Sequence, residues 1–182
     1  MVHMVQKRNN LELRIIEFLL EKDGHVREIA KILNESHSSV LRRLNDLKKE
    51  NVVEFKIVGK NKVFHLKNNL VAKNYIFKSE SNKLIKLLEM HPEFEVIFEE
   101  IFNVIDEKLI VLFGSYAKGL ANKNSDIDIY IETKNRNVKK LVENVNSKIN
   151  VKIGSFNIDS PLINEIIKNH VIIKGIEVFY DK

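Results

Sequence analysis

The chain has 182 residues, is 44% hydrophobic and carries a formal net charge of +5 at pH 7, which suits a folded protein of one large or two small domains. It contains no cysteine, and this excludes disulfides and thiolate zinc sites. The first apolar stretch, residues 11–20, is interrupted by Glu12, Arg14 and Glu17. That pattern does not fit a signal peptide or a membrane span, so we expect a cytoplasmic protein with no membrane partner.

Positive charge is concentrated in the N-terminal part of the chain. Residues 1–74 hold 15 Lys and Arg against 9 Asp and Glu, whereas residues 75–182 hold 15 against 16. A basic region of this kind is where a polyanion would bind. A lysine-rich solvated surface is the simpler alternative, and charge alone does not exclude it.

Hydrophobic spacing predicts three short helices and a hairpin before residue 68. The predicted elements are helices over 11–21, 26–33 and from an N-cap at Ser36 to about Glu50, and strands over 52–58 and 63–66 joined by a turn over 59–62. Val40, Leu44 and Leu47 form the expected buried face of the third helix. His25 is expected in a turn.

This arrangement resembles a winged helix-turn-helix domain, as in many bacterial and archaeal transcription regulators, over about residues 8–68. The resemblance implies that the third helix enters the major groove of double-stranded DNA and that the hairpin reaches the flanking backbone or the minor groove. The candidate DNA contacts are His37, Ser38, Ser39, Arg42 and Arg43 on the third helix and Lys56, Lys60 and Lys62 on the wing. A winged helix used only for protein contacts, with both arginines as solvated charges, is the alternative.

Two connecting helices are predicted after a candidate boundary at residues 68–74. They cover 75–90 and 92–106, and Pro92 suits a first helical turn. The second helix carries an apolar stripe at helical spacing. Its members are Phe94, Ile97, Phe98, Ile101, Phe102 and Ile105. We expect this stripe to be buried against the C-terminal sheet or, as a second choice, in the interface of a homodimer.

The segment 109–131 carries the chemistry. An apolar run over 109–113 fits a buried strand, a Gly-Ser turn follows, and residues 126–131 fit a second strand. Asp126 and Asp128 lie two residues apart and therefore on one face of that strand. Adjacent carboxylates repel unless a cation lies between them, and oxygen ligands suit Mg²⁺. The sequence therefore predicts a magnesium site at this pair.

The remaining elements are read from the same spacing rules. They are a helix over 137–149, a strand over 150–156, a helix over 161–169 and short strand-like runs over 171–173 and 176–180.

The string Gly-Ser-x10-Asp-x-Asp, with Lys118-Gly119 and Ser125 in step, resembles the signature of the polymerase-beta-like nucleotidyltransferase superfamily, in particular its minimal, stand-alone members. The resemblance covers residue 108 to the C-terminus and implies a βαβαβ layout over a small mixed sheet. It implies that Gly114, Ser115 and Lys118 bind the phosphates of ATP or another nucleoside triphosphate. Asp126 and Asp128 would be the catalytic metal ligands. A solvated surface role for Lys118 is equally open.

One position departs from the superfamily pattern. Members that catalyse transfer usually carry a third carboxylate on the neighbouring strand, and counting back from the helix start at Ser160 places it at Lys152. The chain has no Asp or Glu between Glu143 and Asp159. An ammonium there would compete with one of two magnesium ions. Two-metal transfer is therefore in doubt unless Asp159 or a partner chain supplies the missing oxygen.

The predicted fold class is α+β, with a winged helix domain in residues 1–70, a helical linker in 71–106 and a nucleotidyltransferase-like domain in 107–182. The first functional hypothesis is a DNA-binding transcription regulator whose nucleotide-binding domain has reduced or absent activity. The alternative is an active Mg²⁺-dependent nucleotidyltransferase of the antitoxin type, which modifies a toxin-like partner protein and regulates its own transcription. An interaction scaffold ranks third.

Overall fold

The computed structural model describes the backbone of residues 2–181 and the side chains of residues 11–181. Its elements are α1 (Val2–Glu21), β1 (Gly24–His25), α2 (Val26–Leu33), α3 (His37–Lys49), β2 (Val53–Val58), β3 (Asn61–Leu66), α4 (Leu70–Met90), α5 (Glu93–Val104), β4 (Ile110–Phe113), α6 (Gly114–Ala117), β5 (Ile127–Glu132), α7 (Arg136–Glu143), β6 (Ile149–Gly154), α8 (Pro161–Lys168), β7 (Val171–Lys174) and α9 (Ile176–Tyr180). The chain divides into two compact units, Met1–Asn82 and Lys83–Lys182. Among the described residues, none of the helices combines the length and apolarity needed to cross a bilayer.

The first unit contains the three predicted helices and the hairpin. Ser36 caps α3 as expected, because its hydroxyl accepts a hydrogen bond from the Ser39 amide at 3.1 Å. The hairpin connection is shorter than predicted, since Asn61 already pairs with Val58 and only two residues remain in the turn. Gly59, with φ +59°, occupies the first of them.

His25 does not lie in a turn. With Gly24 it forms β1, which pairs antiparallel to β3 and completes a three-stranded sheet of order β1-β3-β2. The His25 ring also caps α2, accepting from the Glu28 amide at 3.1 Å. A two-residue strand has no hydrophobic period, so the sequence pattern did not reveal it.

Burial in the first unit follows the predicted helix faces. Val40 and Leu44 are fully buried and Leu47 is 1% exposed, so α3 turns its apolar side into the core. Its opposite side is left to solvent.

Helix α4 begins at Leu70, inside the segment expected to be a boundary. Asn69 caps it, because its side-chain oxygen accepts from the Ala72 amide at 2.8 Å. The asparagines that suggested a linker therefore include a helix cap.

The second unit is built on a four-stranded mixed sheet of order β6-β5-β4-β7. Strands β5 and β6 are parallel, and β4 runs antiparallel to both β5 and β7. One face of the sheet packs in a core with α5 and α7, and the other face packs in a core with α8 and α9. An α+β architecture with a mixed sheet is confirmed for this unit.

The apolar stripe of α5 is buried except at one residue. Phe94, Phe98 and Ile101 are at most 4% exposed, whereas Phe102 is 42% exposed. At 100° per residue, Phe102 lies about 80° from the centre of the stripe. It is therefore at the edge of the helix face, where the core no longer covers it.

Two C-terminal predictions were wrong in type or length. Residues 176–180 form α9 instead of a strand, since the chain leaves the sheet at Gly175, which has φ +90° and lies too close to the Lys108 carbonyl to carry a side chain. Helix α7 ends at Glu143, six residues earlier than predicted, because Ile149 already pairs with Ile127 in the sheet.

Candidate functional site

The two aspartates lie at the start of β5 in the second unit. Asp128 is partly buried within the strand. Asp126 is exposed and immediately precedes the first strand residue. Between and beyond them, Ile127 and Ile129 are 2% and 0% exposed in the core. This alternation leaves Asp128 on the side of the strand away from α5 and α7, with Asp126 two residues before it in the chain.

Gly114 follows β4 directly beside Asp128. Its φ is +72°, and a Cβ built on it would overlap Oδ2 of Asp128 and lie 3.0 Å from Cγ. A glycine is required here twice over, because an L-residue disfavours this backbone conformation and would collide with the carboxylate. The Gly-Ser pair is therefore the first turn of the short helix α6, which begins against Asp128.

The strand beside Asp128 presents Asn150, and not Lys152. In the parallel pairing of β5 with β6, Asp128 is opposite Asn150 and Tyr130 is opposite Lys152. The Asn150 side chain donates from Nδ2 to Oδ1 of Asp128 at 2.8 Å. The residue that contacts Asp128 is thus two positions before Lys152, the position to which residue counting assigned the third carboxylate. Lys152 is exposed one step farther along the strand.

Lys118 lies at the C-terminal end of α6 and forms an ion pair with a glutamate. Its Nζ donates to Oε1 of Glu165 on α8 at 2.8 Å, and the lysine side chain is 34% exposed. Ser115 is partly buried in the first turn of α6, and its carbonyl accepts from the Leu120 amide at 2.9 Å.

Tyr116 of α6 belongs to a cluster of aromatic rings that the sequence did not predict. Tyr116 meets the rings of His91 and Phe94 with centroids 5.1 and 4.9 Å away, both in edge-to-face geometry. Helical spacing could not have shown that the His91 ring reaches the segment next to Gly114.

Tyr130, on the same strand as the aspartates, is not suited to proton transfer at neutral pH. Burial, and secondarily the Glu132 charge, raises the pKa of its hydroxyl to about 12. The hydroxyl donates to the Gly154 carbonyl at 2.9 Å. Tyr130 therefore stabilises the pairing of β5 with β6.

The donor set fits one divalent cation. Asp126 and Asp128 offer carboxylate oxygens, which Mg²⁺ prefers, and the space left by Gly114 allows a phosphate to approach the backbone. The described residues hold no group of three His, Cys, Asp or Glu side chains that could bind a metal ion. The third side chain at the site, Asn150, is neutral and presents an N–H donor to Asp128.

Some candidate DNA-contact residues of the first unit are exposed to solvent, and others already form hydrogen bonds or ion pairs within the unit. His37, Ser38 and Arg42 are exposed on α3, and Lys60 and Lys62 are exposed on the hairpin. Ser39 is part of the Ser36 cap, receiving a hydrogen bond from the Ser36 hydroxyl at 2.8 Å.

Arg43 and Lys56 are engaged within the unit. Arg43 lies 3.3 Å from Oε2 of Glu12 on α1, and the glutamate side chain is only 10% exposed. Oε1 of the same Glu12 is 3.4 Å from Lys78 on α4. Lys56 pairs with Asp23 at 2.7 Å. We conclude that Arg43 first neutralises a buried acid, because an unpaired carboxylate would be costly there.

Comparisons with known proteins bear on the second unit. None of the curated proteins matches the chain significantly. A solved structure described as the crystal structure of a toxin-antitoxin with AMP-PNP is 23% identical, with a TM-score of 0.32, over 54% of this chain and 78% of that chain. Residues 92–178 match the family described as the nucleotidyltransferase domain. The match includes Gly114, both aspartates and Asn150, and this part of the chain is therefore similar to nucleotidyltransferases.

Proposed function

We propose that the second unit binds a magnesium complex of ATP or another nucleoside triphosphate and acts as a nucleotidyltransferase. The observation that supports it best is the packing of Gly114 against Asp128, with Asp126 exposed two residues away. The carboxylates would hold the cation. The glycine and the following amides would face the phosphates, with Ser115 as a further donor.

The reaction of this class joins an acceptor hydroxyl to the α-phosphorus of the nucleotide. A new phosphorus–oxygen bond forms, the bond to pyrophosphate breaks, and the hydroxyl proton passes to solvent or a base. We propose an acceptor on a partner protein, as in an antitoxin that modifies a toxin-like protein. The family match favours transfer, whereas the neutral Asn150 favours a slow site that mainly retains nucleotide.

The test uses the full chain with Mg²⁺ and ATP labelled at the α-phosphate, alone and with proteins co-purified from its host. Label should bind, and it should become covalently attached to a partner. Asp126→Asn and Asp128→Asn should each abolish both signals, because the cation loses a charged ligand. Nucleotide binding that survives both substitutions would overturn the assignment of the site.

We further propose that the first unit is a winged helix that binds double-stranded DNA. Its support is the exposed polar side of α3, the exposed lysines of the β2–β3 hairpin and the excess of 15 basic over 9 acidic residues in residues 1–74. Arg42 is the central contact, with His37, Ser38, Lys60 and Lys62 around it. Arg43 serves chiefly to hold Glu12.

Salt titration of duplex binding tests this proposal. Affinity should fall steeply as salt rises, and Arg42→Ala should reduce the slope of log affinity against log salt by about 1, as expected for one lost phosphate contact. Arg43→Ala should instead lower the thermal stability of the fold. A slope near zero for the unaltered protein would contradict DNA binding.

A further inference from the structure

Asn150 is the residue of β6 that lies opposite Asp128 in the strand pairing. The parallel pairing sets the two residues opposite each other, and the contact is a hydrogen bond of 2.8 Å. Both residues are partly buried, so the contact is shielded from bulk water on part of its surface. The Asn150 side chain carries no charge and, as it is placed, offers hydrogen atoms to the site.

The carboxylate of Asp128 is held from two sides. Asn150 donates to Oδ1, and Oδ2 occupies the space where a side chain on Gly114 would stand. An oxygen that accepts an N–H has one fewer lone pair for a cation. Asp128 can thus serve one cation in a fixed orientation, and it is poorly placed to bridge two.

Charge leads to the same result. The triphosphate and the two aspartates together neutralise one divalent cation with charge to spare. A second cation beside the first also needs a protein anion next to Asp128 to hold it. The described residues supply none on β6, since the remaining polar side chain on that face, Lys152, is a cation.

We propose that the lack of a carboxylate at position 150 limits this site to one divalent cation per bound nucleotide, and that Asn150→Asp would create a second cation site. The inference rests on the proposed function, because it presumes that the aspartates hold a cation with the nucleotide. Asn150 is a positioning residue: it orients Asp128 through its hydrogen bond and brings no negative charge for a second cation.

The experiment counts bound Mn²⁺ by electron paramagnetic resonance of the free ion. The full chain is saturated with an ATP analogue that cannot be cleaved between the α- and β-phosphates. We expect one Mn²⁺ per bound nucleotide for the unaltered protein and two for Asn150→Asp. Mn²⁺ should also raise the melting temperature of Asn150→Asp more than that of the unaltered protein.

A matched control is available two residues along the same strand. Lys152→Asp also places a carboxylate on the Asn150 face of β6, at the position opposite Tyr130 and roughly 6.6 Å farther on. It should leave the count at one, because its oxygens do not reach Asp128. Asn150→Ala, which removes the donor without adding charge, should also keep the count at one.

The possible outcomes distinguish failure of this inference from failure of the proposed function on which it rests. Two Mn²⁺ per nucleotide in the unaltered protein, or in Asn150→Ala, would overturn the inference while leaving nucleotide binding intact. One Mn²⁺ in a folded Asn150→Asp would do the same. If the unaltered protein binds neither Mn²⁺ nor the analogue, both the inference and the proposed function are overturned. Circular dichroism establishes folding, and the unaltered protein and Asn150→Ala decide the matter if Asn150→Asp is unfolded.

Discussion

At the scale of single residues, Gly114 combines a backbone requirement with a steric one, and the chain offers a control that separates them. Gly119 has nearly the same backbone conformation, φ +66°, but open space where a Cβ would be. Gly114→Ala and Gly119→Ala should therefore each lose about 1–2 kcal/mol of unfolding free energy from left-handed strain.

We expect only Gly114→Ala to abolish binding of Mg²⁺ and ATP, because it displaces Asp128. Denaturant unfolding measures the first effect and isothermal titration calorimetry the second. Equal loss of binding in both variants would indicate that backbone strain matters and the contact with Asp128 does not.

The ion pair of Lys118 with Glu165 leads to a second prediction. If Lys118 neutralises phosphate, it must first leave Glu165, and an exposed pair of this kind costs less than about 1 kcal/mol to break. Glu165→Gln should therefore tighten ATP binding by roughly two- to fivefold.

The same substitution in a Lys118→Met background should have no effect on ATP binding, which completes a double-mutant cycle. Tighter binding in that background as well would assign the effect to the general charge of α8.

The position of Asn150 shows what counting residues along the sequence cannot predict, namely which residue of one strand lies beside a given residue of the next. The count from Ser160 assumed a fixed distance between β6 and the following helix, but six residues, 155–160, separate Gly154 from Pro161. The length of that connection has no signature in composition. That no acid on this strand lies near Asp128 followed from the absence of Asp and Glu across the whole segment, whereas the residue that lies opposite Asp128 became known only from the pairing of β5 with β6.

At the scale of elements, helix α3 depends on its cap. Ser36 accepts from the Ser39 amide and also contacts both neighbouring hydroxyls, and α3 begins immediately after it. Ser36→Ala should destabilise the first unit by about 1 kcal/mol.

Ser38→Ala is the control for this cap, because the Ser38 hydroxyl contacts Ser36 without holding a backbone amide. It should change the free energy of unfolding by a few tenths of a kcal/mol at most, roughly the range for exposed positions. Urea denaturation followed by circular dichroism compares the two variants, and equal destabilisation would contradict the role of Ser36 as the cap.

Elements with a strong period were predicted well and those without one were not. The helices over 26–33 and 161–168 agree closely with their apolar spacing. Short runs were predicted poorly: Ile176–Tyr180 is rich in β-branched and aromatic residues, as strands are, but becomes helical after the left-handed Gly175. Gly24–His25 is a strand only because β3 lies beside it. In both cases tertiary context decided, as is usual for segments shorter than about six residues.

At the scale of the whole molecule, the chain divides into a basic unit and a nearly neutral one. Both the segregation of charge and the motif over 114–128 were visible in the sequence, since each depends on residue type alone. What the sequence did not show is which basic residues are free. The exposures of Arg42 and Arg43 differ because only Arg43 meets the buried Glu12.

Hydrogen exchange of the full chain tests both proposals at once. Mg²⁺ with ATP should increase protection around Gly114 and along β5 and β6, whereas a DNA duplex should increase it along α3 and the β2–β3 hairpin. These are the segments that carry the candidate contacts. Protection by the nucleotide that is confined to α3 would contradict the assignment of the two sites.

The identity of the residue opposite Asp128, Asn150, bears on how the protein can evolve as well as on its chemistry. Asparagine and aspartate have nearly the same shape and differ at one terminal group, and their codons differ by a single base substitution. The surrounding strand pairing would accept either residue. If position 150 sets the number of cations as proposed, a lineage carrying this fold could pass between a one-cation and a two-cation site in one mutational step.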